Sequence, residues 1–110
     1  MPTFTTVYEK VFGSGSTYAT GGVDITIPFA YRVVNAYPLY VKGSDAKIYM
    51  GKVVSVTKNK VKVQIFYNVL KDRNTNDTID ADTDGDEYVE LANNTDINGF
   101  RVGLFIEYEK

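Results

Sequence analysis

The feature that most constrains this chain is an alternation of apolar and polar positions along residues 60–69. One side of the segment carries Val61, Val63, Ile65, Tyr67 and Val69, and the other carries Lys60, Lys62, Gln64 and Asn68. A period of two is that of a β-strand with one buried face, and a helix would not keep these apolar residues together. The segment therefore predicts a strand that covers one side of a core.

A β-hairpin is predicted at the start of this strand. Residues 52–57 are also rich in valine, and only Lys58 and Asn59 separate them from residue 60. A two-residue connection between two such runs is typical of a tight antiparallel hairpin. The facing apolar residues would be Val54 and Val56 on the first strand and Val61 and Val63 on the second.

Further strands are predicted along most of the chain. They are expected at residues 23–29, 31–36, 39–41, 46–50, 87–91 and 100–109. Pro28 ends the first of these or places it at a sheet edge, and Tyr37-Pro38 divides the second from the third. The last strand would bury Phe100, Val102, Leu104, Ile106 and Tyr108 and expose Arg101, Glu107 and Glu109.

Composition supports the same fold class. Val, Ile, Thr, Tyr and Phe supply 47 of the 110 residues, whereas the helix formers Ala and Leu supply 10. About seven or eight short strands, separated by Gly, Asn and Asp, predict an all-β protein. The expected architecture is a single antiparallel β-sandwich or a jelly-roll-like barrel with an extended N-terminal arm.

The chain contains no cysteine and no histidine. It therefore offers no thiolate nucleophile, no imidazole base and no Cys or His ligand for zinc. A serine nucleophile would have to rely on lysines or carboxylates from unrelated loops, so we expect no enzymatic activity. We also expect no membrane span, since every apolar run is shorter than the roughly 18 residues required, and no secretory signal is recognisable.

Two regions are predicted, an arm with its spacer at residues 1–22 and a β-sandwich domain at residues 23–110. A Gly-Ser spacer at residues 13–16 is typically flexible. The arm would then augment the sheet of a neighbouring subunit. Its partner-binding residues would be Phe4, Val7, Tyr8 and Val11. The alternative is a first strand that pairs within its own domain and is followed by a long loop.

The loop at residues 71–87 contains a run of alternating aspartates. Asp80, Asp82, Asp84 and Asp86, with Gly85 between the last two, match the first half of an EF-hand-like loop. Oxygen ligands at this spacing suit Ca²⁺, and the pattern predicts a calcium site. The match stops at the twelfth position, where Leu91 replaces the expected glutamate. The alternative is a solvated acidic loop without an ion.

Charge is segregated along the chain. Residues 42–73 contain eight basic and two acidic residues, a net of +6, and residues 74–96 contain eight acidic residues and no basic ones, a net of -8. This asymmetry favours head-to-tail contacts between copies of the chain. Nucleic acid is not an expected partner, because Phe66 is the only aromatic residue that faces the lysines of the predicted hairpin.

Nine tyrosines are an excess for a chain of this length. Tyr37 and Tyr40 lie close together in the sequence, and an aromatic face with a hydroxyl suits both sugar stacking and protein interfaces. They are the candidate ligand-binding residues of an alternative function, a receptor-binding or carbohydrate-binding β module assisted by calcium. The simpler interpretation is that most tyrosines belong to the core or its margin.

An arm, a glycine-rich spacer and an all-β body that ends in the strand of residues 99–108 resemble small virion proteins of tailed phages, in particular head decoration proteins. The resemblance covers the overall pattern of the chain and no diagnostic motif. It implies a viral structural protein, made in the host cytoplasm, that binds the surface of a major capsid protein lattice, often as a trimer. In such proteins the arm or basal loops hold neighbouring capsid subunits together. No site residue carries over from the resemblance.

Overall fold

The computed structural model describes residues 2–45, 47–71 and 85–110. Seven strands are present in this part of the chain. They are β1 Phe4–Val11, β2 Val23–Thr26, β3 Arg32–Lys42, β4 Tyr49–Thr57, β5 Lys60–Lys71, β6 Gly85–Glu90 and β7 Arg101–Glu109. All of them belong to one antiparallel sheet that is curled into a half-barrel, and the prediction of an all-β fold is confirmed.

Strand order in the sheet is β1-β7-β3-β4-β5-β2, and β6 pairs with β5 beyond the end of β2. The inner face of the curled sheet holds the core. Every apolar residue predicted to be buried on the last strand is buried, from Phe100, just before β7, through to Tyr108. On β5 Val61, Val63 and Ile65 are buried as predicted, whereas Tyr67 and Val69 are half-buried. The period-two alternation therefore identified the core face of both strands correctly, because a pleated strand turns alternate side chains to opposite sides.

The final strand departs from prediction at one acidic residue. Glu109 is buried, whereas Arg101 is exposed as predicted. The Glu109 carboxylate accepts a 2.6 Å hydrogen bond from Nε of Arg32 on the neighbouring strand. This ion pair lowers the pKa of Glu109, first through the hydrogen bond from Arg32. The prediction that Glu109 faces water was wrong because a partner charge lies in register beside it on β3.

The predicted hairpin is present, with one change of register. Strands β4 and β5 are joined by Lys58 and Asn59, and Val56 pairs with Val61 as expected. Val63, however, pairs with Val53, and Val54 is the extra residue of a β-bulge and is exposed. The prediction for Val54 was wrong because a bulge shifts every position beyond it by one residue.

Strand β3 is continuous where two strands were predicted. Tyr37 and Pro38 lie within it, and β-bulges follow Val33 and Pro38 in its pairing with β7. Proline donates no backbone hydrogen bond, but Pro38 lies next to the bulge at Leu39, where the ladder is irregular and tolerates it. In β2 the effect of proline was predicted correctly, since the strand ends at Thr26, before Pro28.

The first strand pairs within its own chain. All eight residues of β1 are in register with β7 without interruption, from the pair of Phe4 and Tyr108 to the pair of Val11 and Arg101. Of the two alternatives for the N-terminal segment, the structure shows pairing within the domain.

The glycine-rich segment that follows β1 contributes to the core. Phe12 is buried, and Tyr18 is 1% exposed. Backbone hydrogen bonds join this segment to the loop before β7, including Tyr18 N–H to the Thr95 carbonyl at 2.8 Å and Asn94 N–H to the Tyr18 carbonyl at 2.7 Å. The segment is therefore anchored on both sides of its glycines.

Candidate functional site: the outer face of the sheet

A row of exposed apolar side chains crosses the outer face of the sheet. Val7 on β1 is in register with Phe105 on β7, and Phe105 is in register with Tyr37 on β3. Their exposed fractions are 57%, 37% and 56%, respectively. The rings of Tyr37 and Phe105 lie 6.5 Å apart, centre to centre. We call these three residues the outer row.

A groove of about 500 Å³ continues the outer row towards β4 and β5. Strands β3 and β4 are both fully described, and they are in register only at one pair, Val41 and Tyr49. Near the opposite ends of the two strands, the Val33 N–H donates a hydrogen bond to the Lys58 carbonyl at 2.7 Å. Between these points the strands separate and leave an opening. The β3–β4 groove is lined by Ala36, Tyr37, Pro38, Met50, Gly51, Lys52, Val53, Phe66 and Tyr88.

Irregularities in both strands accompany their separation. β3 carries a bulge on either side of Tyr37, and β4 carries one at Val54, so both strands bend along the groove. Pro38 has no N–H to donate across the gap. At Gly51 a Cβ atom would lie 3.0 Å from Val41 Cγ2 and 3.4 Å from Val63 Cγ1, so a larger residue there would press on two buried valines. The bulges, Pro38 and Gly51 therefore all lie where the two strands are separated.

Charged groups lie beside the outer row and are paired with one another. Glu9 accepts hydrogen bonds from Nη1 of Arg101, at 3.2 Å, and from the Tyr40 hydroxyl. The bond to Glu9 raises the pKa of Tyr40. The Lys42 ammonium lies 5.1 Å from the centre of the Tyr40 ring. An apolar strip with paired charges at its margin is the usual composition of a protein-binding surface.

The four predicted arm residues divide between the two faces of the sheet. Phe4 and Tyr8 turn to the inner face, where Phe4 lies 5.8 Å from the ring of Tyr108 and Tyr8 lies 5.8 Å from that of Phe29. Val7 and Val11 are exposed on the outer face. Only Val7 and Val11 are therefore placed to contact a partner across the outer face.

The two candidate ligand-binding tyrosines have different surroundings. Tyr37 lines the groove and is exposed. The Tyr40 ring covers Gly103 and fills the space that a side chain at this position would need. The Tyr40 hydroxyl donates a hydrogen bond to Glu9. Of the pair, only Tyr37 is free to stack on a ligand.

Three of the predicted calcium ligands, Asp80, Asp82 and Asp84, lie outside the described residues, as does the side chain of the fourth, Asp86. Within residues 2–45, 47–71 and 85–110 no three acidic side chains come together as a metal-binding group. The acidic half of the predicted head-to-tail contact also falls largely outside the described residues.

The described part of the chain contains no helix long and apolar enough to cross a bilayer.

A second, more polar hollow of about 300 Å³ lies at one end of the half-barrel. Its side chains are engaged with one another. The Tyr49 hydroxyl donates to the Asp45 carboxylate at 3.1 Å, and burial followed by this hydrogen bond raises the pKa of Tyr49 to about 12. The Lys47 ammonium lies 5.7 Å from the centre of the Tyr67 ring. These contacts join side chains that line the hollow to one another.

Sequence reasoning missed the outer row. Tyr37 was singled out, but Phe105 was not, and Val7 was assigned to an arm. The only available signal was that Phe105 alternates with the buried residues of β7 and so had to face outward.

Comparison of the chain with protein-family models, with curated proteins and with solved structures found no match.

Proposed function

We propose that this protein is a non-catalytic docking module that binds a protein lattice through the outer face of its sheet. The observation that carries the proposal is the outer row together with the β3–β4 groove. Apolar side chains on three adjacent strands lie exposed there, although the same chain has a fully apolar core on the opposite face. Exposed apolar side chains that adjoin one another, as here, mark interaction sites.

The occupant that we propose is a capsid lattice, so that the chain acts as a decoration protein on the surface of a virion. The resemblance of the all-β body to small phage head proteins supports this choice, although β1 pairs within the domain and is not a separate arm. The outer row and the β3–β4 groove form an open, shallow surface, which suits contact with another folded subunit. The groove beside the outer row would take an apolar side chain of that subunit as an anchor.

The experiment is sedimentation of the purified chain with empty, expanded capsid shells. We expect stoichiometric binding, and we expect Tyr37→Asp to weaken it by more than about tenfold, because a charge would have to lose its water in the apolar contact. Tyr31→Asp is the matched control, since Tyr31 is 73% exposed and lies outside both the outer row and the groove. Equal effects of the two substitutions, or no binding by the unaltered chain, would reject the proposal.

A carbohydrate is the competing occupant of the same groove. Three aromatic residues, Tyr37, Phe66 and Tyr88, line it and offer faces for sugar stacking. A glycan array distinguishes the two occupants. Saturable glycan binding that is lost in Tyr37→Ala and retained in Tyr40→Phe would replace the lattice proposal with the carbohydrate one.

A further inference from the structure

The edge of the sheet at β1 is long, regular and unpaired within the described residues. β1 pairs with β7 on one side, and no described strand pairs with its other side. Its register with β7 has no bulge, and residues 4–11 contain no proline. Such an edge presents backbone N–H and C=O groups to any further strand.

The opposite edge is built differently. It consists of two short pieces, β2 and β6, which meet β5 at different points along its length. Between them the Tyr18 hydroxyl accepts a hydrogen bond from the Ile65 N–H at 3.2 Å and donates one to Glu90 at 2.5 Å. This edge is interrupted by a side chain, so β1 is the edge on which a regular ladder could extend.

Both charges on β1 are turned back onto their own chain. Edge strands are commonly protected by charged side chains that repel another strand. Here the Glu9 carboxylate is held over the sheet by Arg101 and Tyr40, and the Lys10 ammonium lies 5.6 Å from the centre of the Phe12 ring. The two groups that would protect the edge are therefore both engaged by residues of their own chain.

We propose that β1 pairs with β1 of a second copy of this chain, antiparallel and about a two-fold axis at Val7. Such an axis, perpendicular to the sheet, pairs outer residues with outer residues and inner with inner, so the curled sheet continues across the interface. Val7 then faces Val7 of the copy, and the outer row of each chain joins that of the other. The proposal concerns the strand edge and holds whether or not the outer face docks on a lattice.

The charges on β1 select this register. With the axis at Val7, Glu9 faces Thr5 and Lys10 faces Phe4 of the copy, so no two like charges of β1 are opposite each other. An axis at Glu9 would place two carboxylates opposite each other. An axis at Tyr8 would place Val7 opposite Glu9 and interrupt the apolar strip. Only the Val7 register joins the two outer rows and keeps nearly the whole of β1 in the new ladder.

The test is the mass of the purified full-length chain in solution, measured by light scattering over a range of concentrations. The chain is 12.3 kDa, and we expect a dimer of twice that mass. Val7→Lys and Val7→Glu should each raise the dimer dissociation constant by about tenfold or more, because like charges would meet at the axis. Mixing the two variants should restore dimers, since the opposite charges then face each other.

Val11→Lys and Val11→Glu are the matched controls. Val11 is exposed on the same face and strand, but it lies at the end of the proposed ladder, so neither variant should change the dissociation constant by more than about threefold. Far-ultraviolet circular dichroism checks that every variant folds. A monomer at all concentrations, a trimer, or equal behaviour of the Val7 and Val11 pairs would overturn the proposal. Loss of shell binding by a chain that still dimerises would reject only the lattice function.

Discussion

At the scale of single residues, Tyr18 joins the core to the gap between β2 and β6. Its ring fills the core, and its hydroxyl closes the gap between β2 and β6 by bonding both Ile65 and Glu90. Burial, followed by the bond to Glu90, raises the pKa of Tyr18 to about 12. Glu90 also accepts a hydrogen bond from the Gly21 N–H at 2.9 Å, so the glycine-rich segment is tied to β6 at the same point.

Tyr18→Phe tests this role. The substitution keeps the ring in the core and leaves the buried Ile65 N–H without its acceptor, which should lower the free energy of unfolding by about 1 to 3 kcal/mol. Urea denaturation measures the change. Tyr31→Phe, at an exposed position, is the control and should stay within about 0.5 kcal/mol. A Tyr18→Phe protein as stable as the control would show that water replaces the hydroxyl.

At the scale of elements, β1 and the segment that follows it are parts of one packing unit with β7. β1 is in register with β7 throughout, and Phe12 exchanges backbone hydrogen bonds with Phe100 and Gly99, at 2.9 and 2.8 Å. Sequence reasoning treated residues 1–22 as separable because glycine and serine dominate residues 13–16. The burial of Phe12 and Tyr18 depends on contacts with residues about 80 positions away, which a local pattern does not reveal.

Deletion of residues 1–22 is therefore expected to abolish cooperative folding. The deletion removes the whole pairing partner of one edge of β7 and two core side chains, Phe12 and Tyr18. Large core truncations cost about 3 to 5 kcal/mol each, which is comparable with the total stability of a domain of this size. Thermal melts followed by circular dichroism provide the measurement. Deletion of residues 2–3 alone, which precede β1, should leave the melt unchanged. A sharp transition in the larger deletion would show that residues 23–110 fold alone.

At the scale of the whole molecule, stability should have a plateau in pH with a fall at each end. On the acid side the pKa of Glu109 is lowered by its bond from Arg32, and that of Glu90 by its bond from Tyr18. Stability from a lowered pKa is present above the unfolded value, 4.5, and is lost as pH falls through the folded one. On the alkaline side, the pKa values of Tyr18 and Tyr49 are raised from 10.0 to about 12. The stability that comes from these raised pKa values is present below pH 10 and is lost as pH rises towards about 12.

The midpoint of urea unfolding, measured from about pH 3 to about pH 11, checks this expectation. We expect a constant midpoint between about pH 5 and about pH 9 and a decrease on both sides. Glu109→Gln should flatten the acid side and leave the alkaline side unchanged, because it removes one of the two carboxylates concerned. A midpoint that stays constant down to pH 3 would show that the bonds of Glu109 to Arg32 and of Glu90 to Tyr18 do not contribute to stability.

The sequence by itself determined the fold class, the hairpin at Lys58-Asn59 and the core faces of β5 and β7, because each is encoded in the alternation of neighbouring residues. Only the tertiary structure decided which outward residues meet one another, since register is a relation between segments distant in the chain. The outer row, the β3–β4 groove and the bulge at Val54 all depend on register. The outer row and the β3–β4 groove, on which the proposed functions depend, are therefore defined by the pairing of the strands.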